Sequence, residues 1–270
     1  MVTVLRPLSI SELLDRTFHL YRNKFLVFVG IMAVPQLIVL ALRLTVAAIL
    51  TVNPFERFNP LGLLVGLASY IAIEISAAAT VMAVSNIHLD RPVSLGLAFS
   101  SARGSILRVM LIAFAVGVSA GICLLFLIVP GIYLWLMWSL AIPVTVLEGG
   151  GLSASTRRSN ALTRGSRGRI FVIYLLFVVL AIVVGIIFQM PLGVLVYTLG
   201  RGNPQSAVAL VSAVSAVGTF LSTSLVGPLA TIALTLIYYD QRVRKEGFDL
   251  QLMMATLAGS QASQIAASGS

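Results

Sequence analysis

Arg43 and Glu74 are the two ionisable side chains that stand well inside long apolar runs, so they are the first candidates for chemistry. Either charge alone near a bilayer centre costs about 2.5–3.5 kcal/mol, and a partner is therefore expected. If the first run crosses outward and the second returns, the depths of the two residues differ by roughly 7–8 Å, within reach of an extended arginine. An Arg43–Glu74 ion pair is the expectation. Such a pair would either hold two helices in register or belong to a polar pathway or ligand site.

Other chemistry finds no constellation in the sequence. His19 and His88 lie far apart, and no His-Glu-x-x-His, Cys-x-x-Cys or Gly-x-Ser-x-Gly arrangement occurs. No catalytic residue, metal site or cofactor is expected. Cys123 is the single cysteine and reads as a small apolar side chain in its run. The stretch "RGSRGR" at 164–169 lacks the spacing and the ending of a phosphate-binding loop. The connection that contains it is nevertheless the most basic, with Arg157, Arg158, Arg164, Arg167 and Arg169. These either fix orientation from a solvated face or contact anionic lipid headgroups or a phosphate-bearing ligand.

The elements that must position these residues follow from composition. Of 270 residues, 59% are hydrophobic and 10% charged, and the mean hydropathy is +1.02. Soluble domains carry about 25% charged residues. The apolar residues fall in blocks as long as the ~20 residues a helix needs to cross a bilayer. The fold class is therefore all-α and membrane-embedded, with six spans at about 25–51, 61–86, 106–129, 131–148, 170–199 and 206–239. They are expected to pair as three hairpins within one membrane domain, 1–257, followed by a disordered tail, 258–270. Between spans three and four, "VPGI" at 129–132 predicts a tight type II turn. The charged residues from Glu12 to Lys24 and the length of the run after them predict an uncleaved first span rather than a signal peptide.

Charge sets the orientation. Arg6, Arg16, Arg22 and Lys24 precede the first span; Arg91, Arg103 and Arg108 lie at 87–108; five arginines lie at 149–169; Arg242, Arg244 and Lys245 follow the last. That places fifteen of eighteen basic residues on one side, against Arg57 and Arg201 on the other. Both termini are expected to be cytoplasmic. The net charge of +9 then belongs to the membrane surface, and no nucleic-acid partner is expected.

A short segment beginning near a serine precedes each pair of spans. The first predicts a helix, with Ser9 and Glu12 as a capping box and Leu8 and Leu13 as a staple. Its apolar stripe, Ile10, Leu13, Leu14, Phe18, Tyr21 and Phe25, either lies in the membrane interface or packs on a neighbouring span. The sixth span carries Thr219, Ser222, Thr223, Ser224, Thr231 and Thr235 around Gly227–Pro228, and Pro35, Pro143 and Pro191 add further breaks. Gly62-xxx-Gly66 and Gly117-xxx-Gly121 predict close helix contacts.

The last span ends in "YYDQRVRKEGFDL", residues 238–250. Tyr238 and Tyr239 suit an aromatic belt. Tyr239, Asp240, Arg242, Arg244, Glu246 and Asp249 read as a docking motif, the acids pairing with arginines of the preceding segments. This stretch, with "LRPLSISELLDRTFHLYRNKF" (5–25), "VPGIYL" (129–134) and "LEGGG…RRSNALTRG" (147–165), resembles the bacterial glycerophosphoryl diester phosphodiesterase membrane-domain family. The resemblance implies six spans in the bacterial cell (inner) membrane with cytoplasmic termini. In some relatives a soluble barrel of roughly 250 residues supplies catalysis. Here the length is taken up by spans, so phosphodiesterase activity is not expected. The resulting expectation is a non-enzymatic protein that organises membrane lipids or a separately encoded partner protein. The alternative is a transporter or permease for a small polar or phosphorylated solute.

Overall fold

The computed structural model describes residues 8–49, 60–199 and 204–246. The expected tail, Asp249, Arg57 and Arg201 lie outside the described residues. Ten helices follow one another: α1 (Ile10–Asn23), α2 (Phe25–Ile49), α3 (Pro60–His88), α4 (Leu95–Ala102), α5 (Ile106–Phe126), α6 (Ile128–Met137), α7 (Ala141–Glu148), α8 (Leu152–Thr163), α9 (Arg167–Leu199) and α10 (Pro204–Glu246). No strand occurs among the described residues. Six segments are long and apolar enough to cross a membrane, α6 and α7 together forming the fourth. The protein is a multi-pass helical membrane protein. Its outward surface agrees: Leu26, Leu125 and Val129 are 81%, 81% and 78% exposed, which suits lipid rather than water.

The bundle is built around α3 and α10. Helix α10 packs on α9, α2, α1 and α3, and α3 packs on α2, α5 and α7. Along its buried face α3 presents Ala77, Ala78, Ala79 and Ala83, small side chains that let neighbours approach. Ala78, Ala79 and Ala83 share one core with Phe28 and Ile31 of α2, Ile170 and Ile173 of α9, and Ile232 and Leu236 of α10.

Three local expectations are corrected. Nothing lies near a Cβ added at Gly62, Gly66, Gly117 or Gly121, so these pairs make no close helix contact. The turn between spans three and four is the single extended residue Leu127, and Pro130–Gly131 sits in the first turn of α6. Pro tolerates that position because the first amides of a helix have no intrahelical acceptor. Gly131 is required there: a Cβ would come within 2.6 Å of the Leu124 backbone nitrogen. Span four is also not continuous, since Trp138–Leu140 separates α6 from α7. Only Ser139 marks the break in the sequence, and a lone serine in an apolar run, its hydroxyl turned back on the Leu136 carbonyl at 2.9 Å, gives no turn pattern.

Helix α8 repairs that break. Ser159 Oγ donates to the Met137 carbonyl at 3.0 Å and accepts from the Leu140 amide at 3.2 Å. Thr163 Oγ1 donates to the same carbonyl at 3.2 Å. Ser155, Ser159 and Thr163 recur every four residues, one helical stripe, and all three are fully buried.

Helix α1 carries the expected capping box: Ser9 Oγ accepts from the Glu12 amide, and Glu12 accepts from the Ser9 amide. Of its two readings, the structure has α1 packed on a span. Leu13 and Thr17 are buried and Tyr21 donates to the Leu225 carbonyl of α10 at 2.8 Å. That carbonyl lies one turn before Pro228, where the proline disturbs the helix's own bonding. Phe18 and Phe25 of the expected stripe remain 46% and 41% exposed.

Candidate functional site at the basic end of the bundle

At about 1.5 Å per residue, α10 is roughly 65 Å long, twice the ~30 Å hydrocarbon thickness. Its last turns therefore project beyond the apolar slab, where they gather the ends of α1, α7, α8 and α9. Asp240 is the centre. Its side chain is 0% exposed and accepts from the Leu8 amide at 2.7 Å, Arg169 Nη1 at 2.7 Å and Arg244 Nε at 2.9 Å. Both arginines return to the same residue: Arg169 Nη2 and Arg244 Nη2 donate to the Leu8 carbonyl at 2.8 and 2.6 Å. The segment before α1, the start of α9 and the end of α10 are thus joined through one carboxylate.

A second circuit closes on itself. Glu148 of α7 accepts from Arg158 Nε at 3.0 Å and from the Tyr238 hydroxyl at 2.8 Å. Arg158 continues to Glu246 at 2.8 Å, Glu246 accepts from Arg242 Nε at 3.2 Å, and Arg242 Nη1 donates to the Tyr238 hydroxyl at 3.3 Å. The Arg158 guanidinium is held above its already high pKa, first by its hydrogen bond to Glu246, so it stays charged at any physiological pH. Lys245 Nζ donates to the Ala161 and Arg164 carbonyls at 2.7 and 2.6 Å, satisfying the end of α8. Gly149, at φ 73°, ends α7 and turns its carbonyl to Arg108.

The five arginines of 149–169 therefore fall into two groups. Arg158 and Arg169 are committed to acids, and Arg167 reaches Asn160 Oδ1 at 2.6 Å while its guanidinium also lies over the Tyr133 ring. Arg157 and Arg164 are exposed, and their side chains reach no described partner. The docking residues Tyr239, Asp240, Arg242, Arg244 and Glu246 all engage neighbours. The tyrosines do so differently from a membrane belt: Tyr238 is buried, and Tyr239 donates to Ser85 at 3.0 Å and stacks on His88 at 4.8 Å. Each hydroxyl finds a protein partner, and that draws the rings inward.

The intramembrane residues are not brought together as an ion pair. Arg43 Nη2 donates instead to Ser69 Oγ at 3.2 Å, and the Glu74 Oε2 atom is buried without a hydrogen-bond partner among the described residues. Ser69 and Glu74 are five residues apart on α3, hence about 140° round the helix. Arg43 faces the first, while Glu74 is buried on another side of α3. In the sixth span Thr219, Thr231 and Thr235 donate to carbonyls of their own helix, while Ser224 Oγ is buried without a hydrogen-bond partner among the described residues.

A family model described as the membrane domain of glycerophosphoryl diester phosphodiesterase matches residues 107–265, more than half of the chain. The match covers α5 to α10 and both circuits apart from Leu8; the stretch 5–25 lies outside it. No curated protein and no solved structure matches.

Proposed function

Because the chain belongs to the family of glycerophosphoryl diester phosphodiesterase membrane domains, we propose that it is a non-enzymatic membrane protein that organises lipid or a partner protein at its basic end. This end would face the cytoplasm of a bacterial cell (inner) membrane, following the distribution of its arginines and lysines. The reading rests on how those arginines are divided. Arg158, Arg167 and Arg169 are used up in holding helices together, which leaves Arg157 and Arg164 exposed beside them. Exposed cations near a membrane surface attract anionic headgroups, each by about 1 kcal/mol. Any phosphodiester hydrolysis would fall to a separately encoded partner. Extraction from native membranes with a lipid-retaining polymer, followed by native mass spectrometry, is the test. Retained anionic phospholipid or a stoichiometric partner, diminished by Arg157→Gln with Arg164→Gln, supports the proposal. Recovery of the chain with neither would overturn it.

A second reading is favoured by one observation. Glu74 stands at the midpoint of α3 (Pro60–His88), buried, with an oxygen that has no partner among the described residues. Ionisable groups at such depth mark solute or proton pathways in membrane proteins, so a transporter or permease for a small polar or phosphorylated solute is the alternative. Solute flux into proteoliposomes that Glu74→Gln abolishes, with the variant still folded, would select it. Flux unchanged by that substitution would remove its basis.

A further inference from the structure

Helix α9 is the least buried of the spans, and together with α10 it forms an open groove of about 650 Å³ within the apolar region. Val178, Ile182, Gly185 and Gln189 line it at spacings of four, three and four residues, the a/d pattern of a helix seam. Gly185 opens the floor: a Cβ there would meet only Ser222 Oγ, at 3.9 Å. Two polar groups face this space, Gln189 from α9 and Ser222 from α10, and neither side chain is hydrogen-bonded to a described residue.

Gln189 stands near the outer end of the span Arg167–Pro191, and an acyl chain filling the groove would offer its amide neither an acceptor nor a donor. An amide is self-complementary, since it donates and accepts at once. We infer that the groove is the seam of a two-fold homodimer, in which α9 of a second copy lies against it and the two Gln189 side chains hydrogen-bond across the axis. A two-fold interface needs one self-complementary patch on each copy. A single amide at an a/d position supplies register as well as attraction. The small residue at 185 allows the close approach that membrane helices need.

Disulfide cross-linking of the full chain in proteoliposomes tests this, in a Cys123→Ser background. Ile182→Cys, on the groove face, should give covalent dimers. Ile187→Cys is equally lipid-exposed (59% against 56%), but it lies about 140° round the helix from Ile182 and should not. Adding Gln189→Leu should lower the dimer yield about tenfold, the order of factor carried by a lost interhelical hydrogen bond, while Gln189→Asn should retain most of it. Gln189 is exposed and makes no hydrogen bond to a described residue, so the leucine variant should fold, and circular dichroism checks that it does. Equal yields at 182 and 187, a yield indifferent to Gln189→Leu, or no dimer because lipid or another protein fills the groove would each overturn the inference.

Discussion

Asp240 shows how much one carboxylate can organise when burial removes the competition of water. Its side chain has no exposure, and it faces two guanidinium groups and a backbone amide. Removing one partner of a buried charge pair costs more than the pair itself is worth, because the other charge is left desolvated. Asp240→Asn keeps the shape but leaves Arg169 and Arg244 without their anion, so a loss of about 3–5 kcal/mol is expected. Thermal unfolding in detergent measures it, and an unchanged midpoint would mean that the clamp contributes nothing. The two arginines should differ. Arg169 is 17% exposed and Arg244 37%, so solvent already screens much of the second interaction. Arg169→Gln should lower the midpoint clearly, while Arg244→Gln falls in the surface range of about 0–1 kcal/mol. Glu74 is the opposite case, a buried carboxyl whose Oε2 has no partner among the described residues. Depth alone suggested Arg43 for it, but depth says nothing of the side of the helix, and there Ser69 intervenes.

At the level of helices, the spans were legible because apolar runs mark them directly: α2, α3 and α5 begin within one residue of where the sequence placed them. What stayed hidden was every feature that depends on a neighbour. The break at Trp138–Leu140 carries one polar residue, Ser139, and neither Gly nor Pro. Its compensation was visible all the same, as Ser159 and Thr163, the two hydroxyls that reach Met137, stand four residues apart in a segment that reads at first as merely polar and basic. Hydroxyls repeated on one face of a helix suit a neighbour with unsatisfied backbone. Ser159 both donates to Met137 and accepts from Leu140, so Ser159→Ala strands the Leu140 amide in a buried site, while the Met137 carbonyl keeps the Thr163 hydroxyl. A destabilisation of about 1–3 kcal/mol is expected. Ser153, exposed on the same helix, is the control, and Ser153→Ala should leave the unfolding midpoint where it is. Equal effects of the two substitutions would show that α8 does not support the break. The same dependence on neighbours explains the arginines of 149–169. Composition grouped all five as one basic face, and only the packing of α8 and α9 against α10 separates the committed from the exposed.

The whole molecule combines a lipid-facing bundle with a polar assembly at one end, and its orientation decides what that assembly can meet. The ion-paired arginines and the exposed ones lie at the same end, because α10 carries its charged last turns there and the starts of α1 and α9 meet it. Positive charge resists translocation, so this end should remain in the cytoplasm. A single cysteine reports it. In a Cys123→Ser background, Ser153→Cys places an exposed thiol near the start of α8, and Asn53→Cys puts a cysteine between the first two apolar runs of the sequence. In intact cells with only the cytoplasmic membrane as a barrier, a membrane-impermeant maleimide should label position 53 and spare position 153. Disrupting the membrane should make both reactive. The reverse pattern in intact cells would put Arg157 and Arg164 outside, away from any cytoplasmic enzyme. The proposed partner would then have to be an extracytoplasmic protein, although contacts with anionic lipid in the outer leaflet would remain open. Labelling from one side thus separates the lipid half of the functional reading from the partner half, which the arginines alone do not do.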